Sequence, residues 1–244
     1  MILLYKHGDF PMKKLALLAT VPLLIACAAE TGSVTEAAND AVTAVAGSVE
    51  TAGRHNGEDH GGMMPGSADL STLPAGTYVD EDGHAYIQFS YDHQGFSKPI
   101  LRWSAFEATV NYDPAAPEEA TLRVVIPADS IDSMVPAFDD HLKSADFFDV
   151  ENYPEIVFES TSVDIGPGGT GTVTGNLTIK DITREISFDG RINKIGQHFR
   201  SGKDMFGISG TGSLLRSDYG VGKYAPAVGD EVDLVMEIEF QKAD

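Results

Sequence analysis

The stretch EVDLVMEIEF (231–240) restricts the fold more than any other part of this chain. Val232, Leu234, Met236, Ile238 and Phe240 fall on one parity, and Asp233, Glu237 and Glu239 on the other. Successive side chains of a strand point to opposite faces, so period-2 alternation describes a strand with one buried face. The pattern recurs. GTVTGNLTIK sets Val173, Leu177 and Ile179 against Thr172, Thr174, Asn176 and Thr178. EISFDGRI aligns Ile186, Phe188 and Ile192; HAYIQFSYDH aligns Ile87, Phe89, Tyr91 and His93; TLRVVI aligns Leu122, Val124 and Ile126.

Clusters of Gly, Pro, Asp and Asn punctuate these runs (NYDPAAPEE, DIGPGGTG, IKDIT, APAVGDE) and read as turns. About eight strands over roughly 170 residues imply an all-β domain, either a sandwich or an up-and-down barrel. The segment SIDSMVPAFDDHLKSADFF breaks the pattern, and its Pro136 predicts one or two short helices.

Charge narrows the possible partners. The 244 residues carry a formal net charge of -20. Such a surface repels phosphate backbones and anionic lipid, so nucleic-acid binding is not expected and membrane attachment needs a separate device. The sole cysteine, Cys27, can form neither an intrachain disulfide nor a Cys-based zinc site.

From Met12 the chain reads MKKLALLATVPLLIAC: two lysines, then an apolar run shorter than the about 20 residues of a membrane span. This is the plan of a secretory signal, which makes Met12 the expected initiator and residues 1–26 the signal region. LIAC (24–27) resembles a bacterial lipoprotein lipobox, which implies acylation of Cys27; ordinary signal cleavage beside a stray cysteine is the alternative. Ala28 after the cysteine implies, on the enteric pattern, the outer rather than the inner membrane. Residues 27–70 contain no Phe, Tyr or Trp beyond that point and read as a flexible linker. A tether of about 42 residues reaches roughly 35 Å root-mean-square. Within it, His55, His60, Met63 and Met64 are of the types that ligate copper, although their spacing is irregular and a plain polar linker serves as well. The globular domain is expected over 71–244.

Five segments in order resemble the YceI-like family: GHAYIQFSYDHQGFS, HLKSADFFDVENYPEIVFES, VTGNLTIKDITREI, LLRSDYG and VGDEVDLVMEIE, together covering about 76–242. The resemblance implies an about eight-stranded antiparallel lipocalin-like barrel whose interior binds long amphiphiles such as polyisoprenoids. It implies a secreted or periplasmic setting and no catalytic signature. Two departures stand out. Leu101 replaces a smaller residue and could narrow a cavity, and Asp181 replaces a turn glycine.

The expected lipid-binding wall comprises Ile87, Phe89, Tyr91, His93 and Trp103, then Phe147, Phe148 and Phe158, then Leu177 and Phe188, and finally Leu234, Met236 and Ile238. His141, Lys143 and Arg216 are the headgroup candidates. His93 could instead close a strand end, Arg216 could pair structurally with Asp218, and Trp103 could be core. Within 141–158, Phe147, Phe148 and Tyr153 supply apolar cover, Asp146 and Asp149 solvate or cap the transition, and Pro154 starts the next strand.

No G-x-S-x-G, H-E-x-x-H or P-loop occurs, and His84 and His93, nine residues apart, fall on opposite faces. No cofactor, metal or catalytic group is therefore expected. The reading is a tethered envelope carrier of an isoprenoid or similar lipid, with a homodimer as a possible assembly. The rivals are an enzyme acting on such a lipid through His93 or His141, and an adaptor with a filled interior.

Overall fold

The alternating runs assemble into one antiparallel sheet that closes on itself. The computed structural model describes residues 68–166 and 168–244. The signal region, Cys27, residues 28–67 of the linker, and with them the histidines and methionines at 55–64, lie outside the described residues; Ala68 and Leu70, at the expected end of the linker, instead pack against the barrel core. The strands are β1 (Gly76–His93), β2 (Ile100–Trp103), β3 (Glu107–Tyr112), β4 (Thr121–Pro127), β5 (Ile131–Asp132), β6 (Glu155–Ile165), β7 (Thr170–Ile179), β8 (Ile182–Gln197), β9 (Asp204–Leu215) and β10 (Val228–Lys242). One helix, α1 (Pro136–Lys143), separates β5 from β6.

The ring runs β1, β3, β4, β6, β7, β8, β9, β10 and back to β1, which makes eight strands and a barrel rather than a sandwich. β1 is long enough to be shared. Its first residues pair with β3, while Ile87–Ser90 pair with β2, which in turn carries β5. Closure pairs each of the eight ring strands on both sides and turns every inward parity toward a single interior, while β5, paired only with β2, stays at an edge.

The two ends of that interior differ. One end is packed shut. Tyr78 and Phe240 are fully buried, Phe206 stacks on Phe240 with centroids 4.9 Å apart, and Tyr78 meets Phe206 edge-on at 5.4 Å. The Tyr78 and Tyr112 hydroxyls donate to the carbonyls of Pro74 and Leu70, tying the segment before β1 across this end. Burial pushes the Tyr78 phenol up to about 12. The other end is where β1 finishes, β10 begins and α1 sits.

Local irregularities bend the wall. Thr161 is an extra residue in β6, between Ser160 opposite Gly175 and Ser162 opposite Thr174. A Cβ on Gly175 would lie 2.4 Å from the Glu159 carbonyl oxygen and 2.6 Å from the Phe158 ring. Only glycine lets β7 approach the bulge this closely. β8 also bulges between Ile192 and Lys194, which returns Ile195 to the interior. In the β7–β8 turn it is Lys180, at φ 59°, that takes the left-handed conformation. Asp181 has no positive φ, so the absence of glycine there costs nothing in the backbone.

α1 begins at Pro136, whose missing N–H is one the first turn would leave unpaired in any case. It ends where the Ser144 hydroxyl donates to the His141 carbonyl and Asp149 turns the chain at φ 51°. Pro154 then precedes β6, as the restricted backbone before proline predicts.

Candidate functional site

Above the aromatic plug the barrel is hollow. The cavity has a volume of about 320 Å³. Its wall follows β1 from Ile87 to His93, six residue steps, or roughly 20 Å at about 3.4 Å per residue. A volume that small over that length describes a narrow bore. It lies at the lower end of the about 300–1,000 Å³ of ligand pockets.

Most of the expected wall comes together here. Ile87, Phe89, Tyr91, His93 and Trp103 line one side, with Leu234 and Met236 beside them on β10; Phe147 and Phe148 arrive from the segment after α1; Phe158, Leu177 and Phe188 complete the far side. Leu101 also lines the bore and is buried. The Trp103 ring sits 5.9 Å from that of Phe89 and meets Phe148 edge-on at 5.2 Å, and Phe158 meets Phe188 edge-on at 5.3 Å. Such aromatic pairs hold a shaped apolar surface rather than a polar one.

Two expected residues do not line the cavity. Ile238 lies two residues further along β10, opposite Ala85 and Ile208, at the level where Phe240 and Phe206 already fill the interior. Lys143 lies off the face of α1 that looks inward. Phe138, His141 and Leu142 reach the cavity at helical spacing, and Lys143 does not share their face.

The polar groups of the wall gather at the mouth: Tyr91, His93, His141, Arg216, Lys223 and Tyr224. Lys223 and Tyr224, on the β9–β10 loop, were not among the expected site residues. That loop carries no alternation, and only folding brings it over the barrel end. Tyr224 lies against His141 and Phe147, with ring centroids 6.4 and 6.3 Å away. The Lys223 ammonium contacts the Asp146 carboxylate. The loop is thereby clasped to the segment after α1, and Asp146 is a partner across the mouth rather than a local cap.

That hydrogen bond from Lys223 holds the Asp146 carboxyl below its ordinary value of 3.8, and the same contact raises Lys223. A depressed carboxyl stabilises the fold above its unfolded pKa, and the contribution is lost as pH falls through the lower folded value. The Asp146 carboxyl-carbon resonance is therefore expected to titrate below 3.8, and Lys223→Met to return it toward 3.8. An unchanged midpoint would remove the clasp from this description.

Arg216 is buried, and its expected pairing with Asp218 is corrected by the structure. Its Nε donates to the Gly229 carbonyl at 2.7 Å, Nη1 to Val221 and Lys223 at 2.9 and 2.8 Å, and Nη2 to Val228 at 2.8 Å. Asp218 instead faces Arg184 at 3.7 Å, while Asp230 accepts from the Ser217 N–H and hydroxyl. The guanidinium organises the whole 216–229 loop and keeps its charge beside the mouth, because arginine cannot be deprotonated in a protein. Burial lowers its pKa and the charges of Asp230 and Tyr91 oppose this; burial also raises Tyr91, against the pull of Arg216.

One group outside the cavity, among the described residues, could hold a metal: Glu81, His84 and Glu239 on the outer wall. His84 Nδ1 lies 2.7 Å from Glu81 Oε2. Parity correctly separates His84 from His93. It misses this cluster because β1 takes five steps from Asp80 to Ala85 while β10 takes two from Phe240 to Ile238. The Glu81 hydrogen bond first, then the charges of Glu239 and Glu81, raise the His84 pKa, so a proton competes with any metal there.

The sequence that builds this barrel matches a known family. The YceI-like domain model aligns with residues 78–240, well over half of the chain. This chain belongs to the YceI-like family. A UPF0312 protein of Azotobacter vinelandii is 31% identical over 173 residues, covering 68% of this chain and 87% of the relative. Among solved structures, Burkholderia cenocepacia BcnA superposes with a TM-score of 0.59 at 22% identity, covering 66% of this chain and 98% of BcnA. A polyisoprenoid binding domain from Saccharophagus degradans, described as implicated in plant cell wall breakdown, superposes with a TM-score of 0.53 at 11% identity, covering 69% and 99% of the two chains. At these identities the two structures speak for the YceI-like fold alone.

Proposed function

We propose that this YceI-like protein binds one long-chain isoprenoid, or a similar lipid, inside the barrel and carries it within the bacterial cell envelope. The observation that carries this reading is the bore: long, narrow, apolar, plugged at one end, with its polar groups confined to the mouth. A single hydrocarbon chain fits such a shape, with its polar head left among His93, His141, Lys223 and Arg216. The polyisoprenoid binding of the Saccharophagus neighbour supports the same ligand class. Each buried methylene contributes about 0.8 kcal/mol, enough over a long chain to exceed the costs of ordering it. Discrimination between chains of similar length is then weak, about 0.8 kcal/mol or roughly fourfold per methylene.

The reading is binding without turnover. The His141 ring is packed against Phe147 and Tyr224, with centroids 5.0 and 6.4 Å away. An adaptor with a filled interior does not account for the bore. Organic extraction of the purified chain followed by mass spectrometry tests the carrier directly. A prenyl or acyl chain recovered near one per protein is expected; repeated recovery of empty protein that also ignores added prenyl lipids would end the proposal. Products formed from a bound lipid, and lost in His141→Ala, would replace it with an enzyme.

The tether is part of the same reading: an acyl group on Cys27 retains the domain at the outer membrane, facing the periplasm. Cys27→Ser is expected to move the protein wholly from the membrane to the soluble fraction on cell fractionation. Continued membrane retention would contradict acylation at that residue.

A further inference from the structure

We infer that the mouth of the barrel docks on the surface of a bilayer with uncharged headgroups, and that five exposed apolar side chains around it form the contact. The inference rests on the carrier reading, and it names the surface from which the carrier takes its lipid. Among the described residues nine large hydrophobic side chains are exposed, and Phe96, Ile100, Met134, Val135 and Tyr224 are five of them. The strand register brings these five together. Ile100 pairs with Ser90 near the top of β1, and the β2–β5 pairing of Arg102 with Asp132 sets Met134 level with Ile100. His93 pairs with Val228, which places the turn bearing Phe96 beside the loop bearing Tyr224.

These side chains stand on built turns, not on loose ends. The Met134 N–H donates to Asp132 Oδ1 at 2.8 Å and the Ser133 N–H to Asp139 Oδ1 at 2.8 Å. On the neighbouring tip the Gly95 N–H donates to Asp92 Oδ1 at 2.8 Å, and the Phe96 N–H to the His93 carbonyl. Met134 and Tyr224 both hold φ above 60°, where glycine or asparagine would be unstrained. Neither strain nor exposure of an apolar side chain favours the isolated fold here, and such a cluster on a soluble face marks an interaction surface.

Charge selects the surface. Three cations close to the rim are paired: Lys98 with Asp233 at 3.0 Å, Arg102 with Asp132 at 2.8 Å, and Lys223 with Asp146; Arg216 is buried and donates to backbone carbonyls, and Lys143 follows Asp139 and Asp140 on α1. The net charge of -20 opposes anionic lipid. Apolar insertion into an uncharged interface is what remains, and it is continuous with the apolar bore.

The test uses the full chain carrying Cys27→Ser, so that no acyl anchor contributes. Phosphatidylcholine vesicles holding a fluorescent prenyl lipid serve as donor. Phe96→Ser with Met134→Ser is expected to slow transfer from vesicle to protein at least tenfold, and to abolish co-flotation with vesicles that contain no prenyl lipid. Affinity for the same lipid added in monomeric form is expected to stay unchanged. Phe199→Ser, equally exposed but in the turn at the plugged end, is the control and should transfer at the unmodified rate. Transfer by the double variant at the unmodified rate would overturn the inference, as would equal slowing by Phe199→Ser. So would a dimer in sedimentation that the double variant abolishes, since the patch would then face a second copy. Co-flotation that is sensitive to the double variant, in a protein that binds no lipid, would retain the docking and discard the carrier.

Discussion

Leu234→Trp is expected to lower affinity for a long prenyl chain by roughly 200-fold while leaving the barrel folded. Leu234 lies midway along the bore, between Phe89 on β1 and Gly212 on β9, and its side chain is only partly covered by neighbours. An indole there extends into existing space rather than into packed core, so the usual 1–3 kcal/mol of overpacking strain is largely avoided. It blocks the bore below that level. A chain that can no longer bury four methylenes loses about 3 kcal/mol, which is the stated fold-change. Fluorescence titration reads the affinity, and a urea midpoint within the error of the unsubstituted protein checks the fold. Retained affinity would mean that the lipid lies elsewhere.

Arg216→Met should have the largest effect on stability. The guanidinium is buried and donates to four backbone carbonyls, two in the β9–β10 loop and two at the start of β10. Methionine keeps much of the volume and removes every donor, so carbonyls that replaced water with Arg216 are left unpaired. Each buried carbonyl left unpaired costs about 1–3 kcal/mol, and with partial relaxation to water the four together lose roughly 3–5 kcal/mol. For a domain of this size each kcal/mol lowers Tm by about 2–4 °C, so a fall of roughly 6–20 °C is expected by calorimetry. Asp218→Ala is the contrast. Its partner Arg184 is half exposed and 3.7 Å away, and such pairs contribute about 0–1 kcal/mol. Equal losses from the two variants would restore the direct Arg216–Asp218 pairing that the R-S-D segment suggests.

The contrast shows where one-dimensional reading stops. In LLRSDYG the opposite charges two residues apart suggest a pair, but the loop folds so that Arg216 reaches residues 5 to 13 positions further along the chain. Of the headgroup candidates His141, Lys143 and Arg216, the first and last line the mouth and Lys143 does not, whereas Lys223 reaches it from a loop 77 residues beyond its partner Asp146. Ile238 has the correct parity and the wrong depth: alternation reports which face a residue occupies and not how far along the barrel it lies.

Which side chains point inward was legible in the sequence, because strand parity is a local property of the backbone. Val232 through Phe240, Ile87 through His93 and Leu122 through Ile126 all follow it. The pattern is the same for a hollow interior and a filled one. Only the tertiary structure decided that Phe206, Phe240 and Tyr78 pack one end shut while the other end remains a bore, because space depends on how side chains from eight strands meet across the axis. The clasp of the β9–β10 loop over that bore and the apolar rim around its mouth arise in the same way, from contacts between segments far apart in the chain.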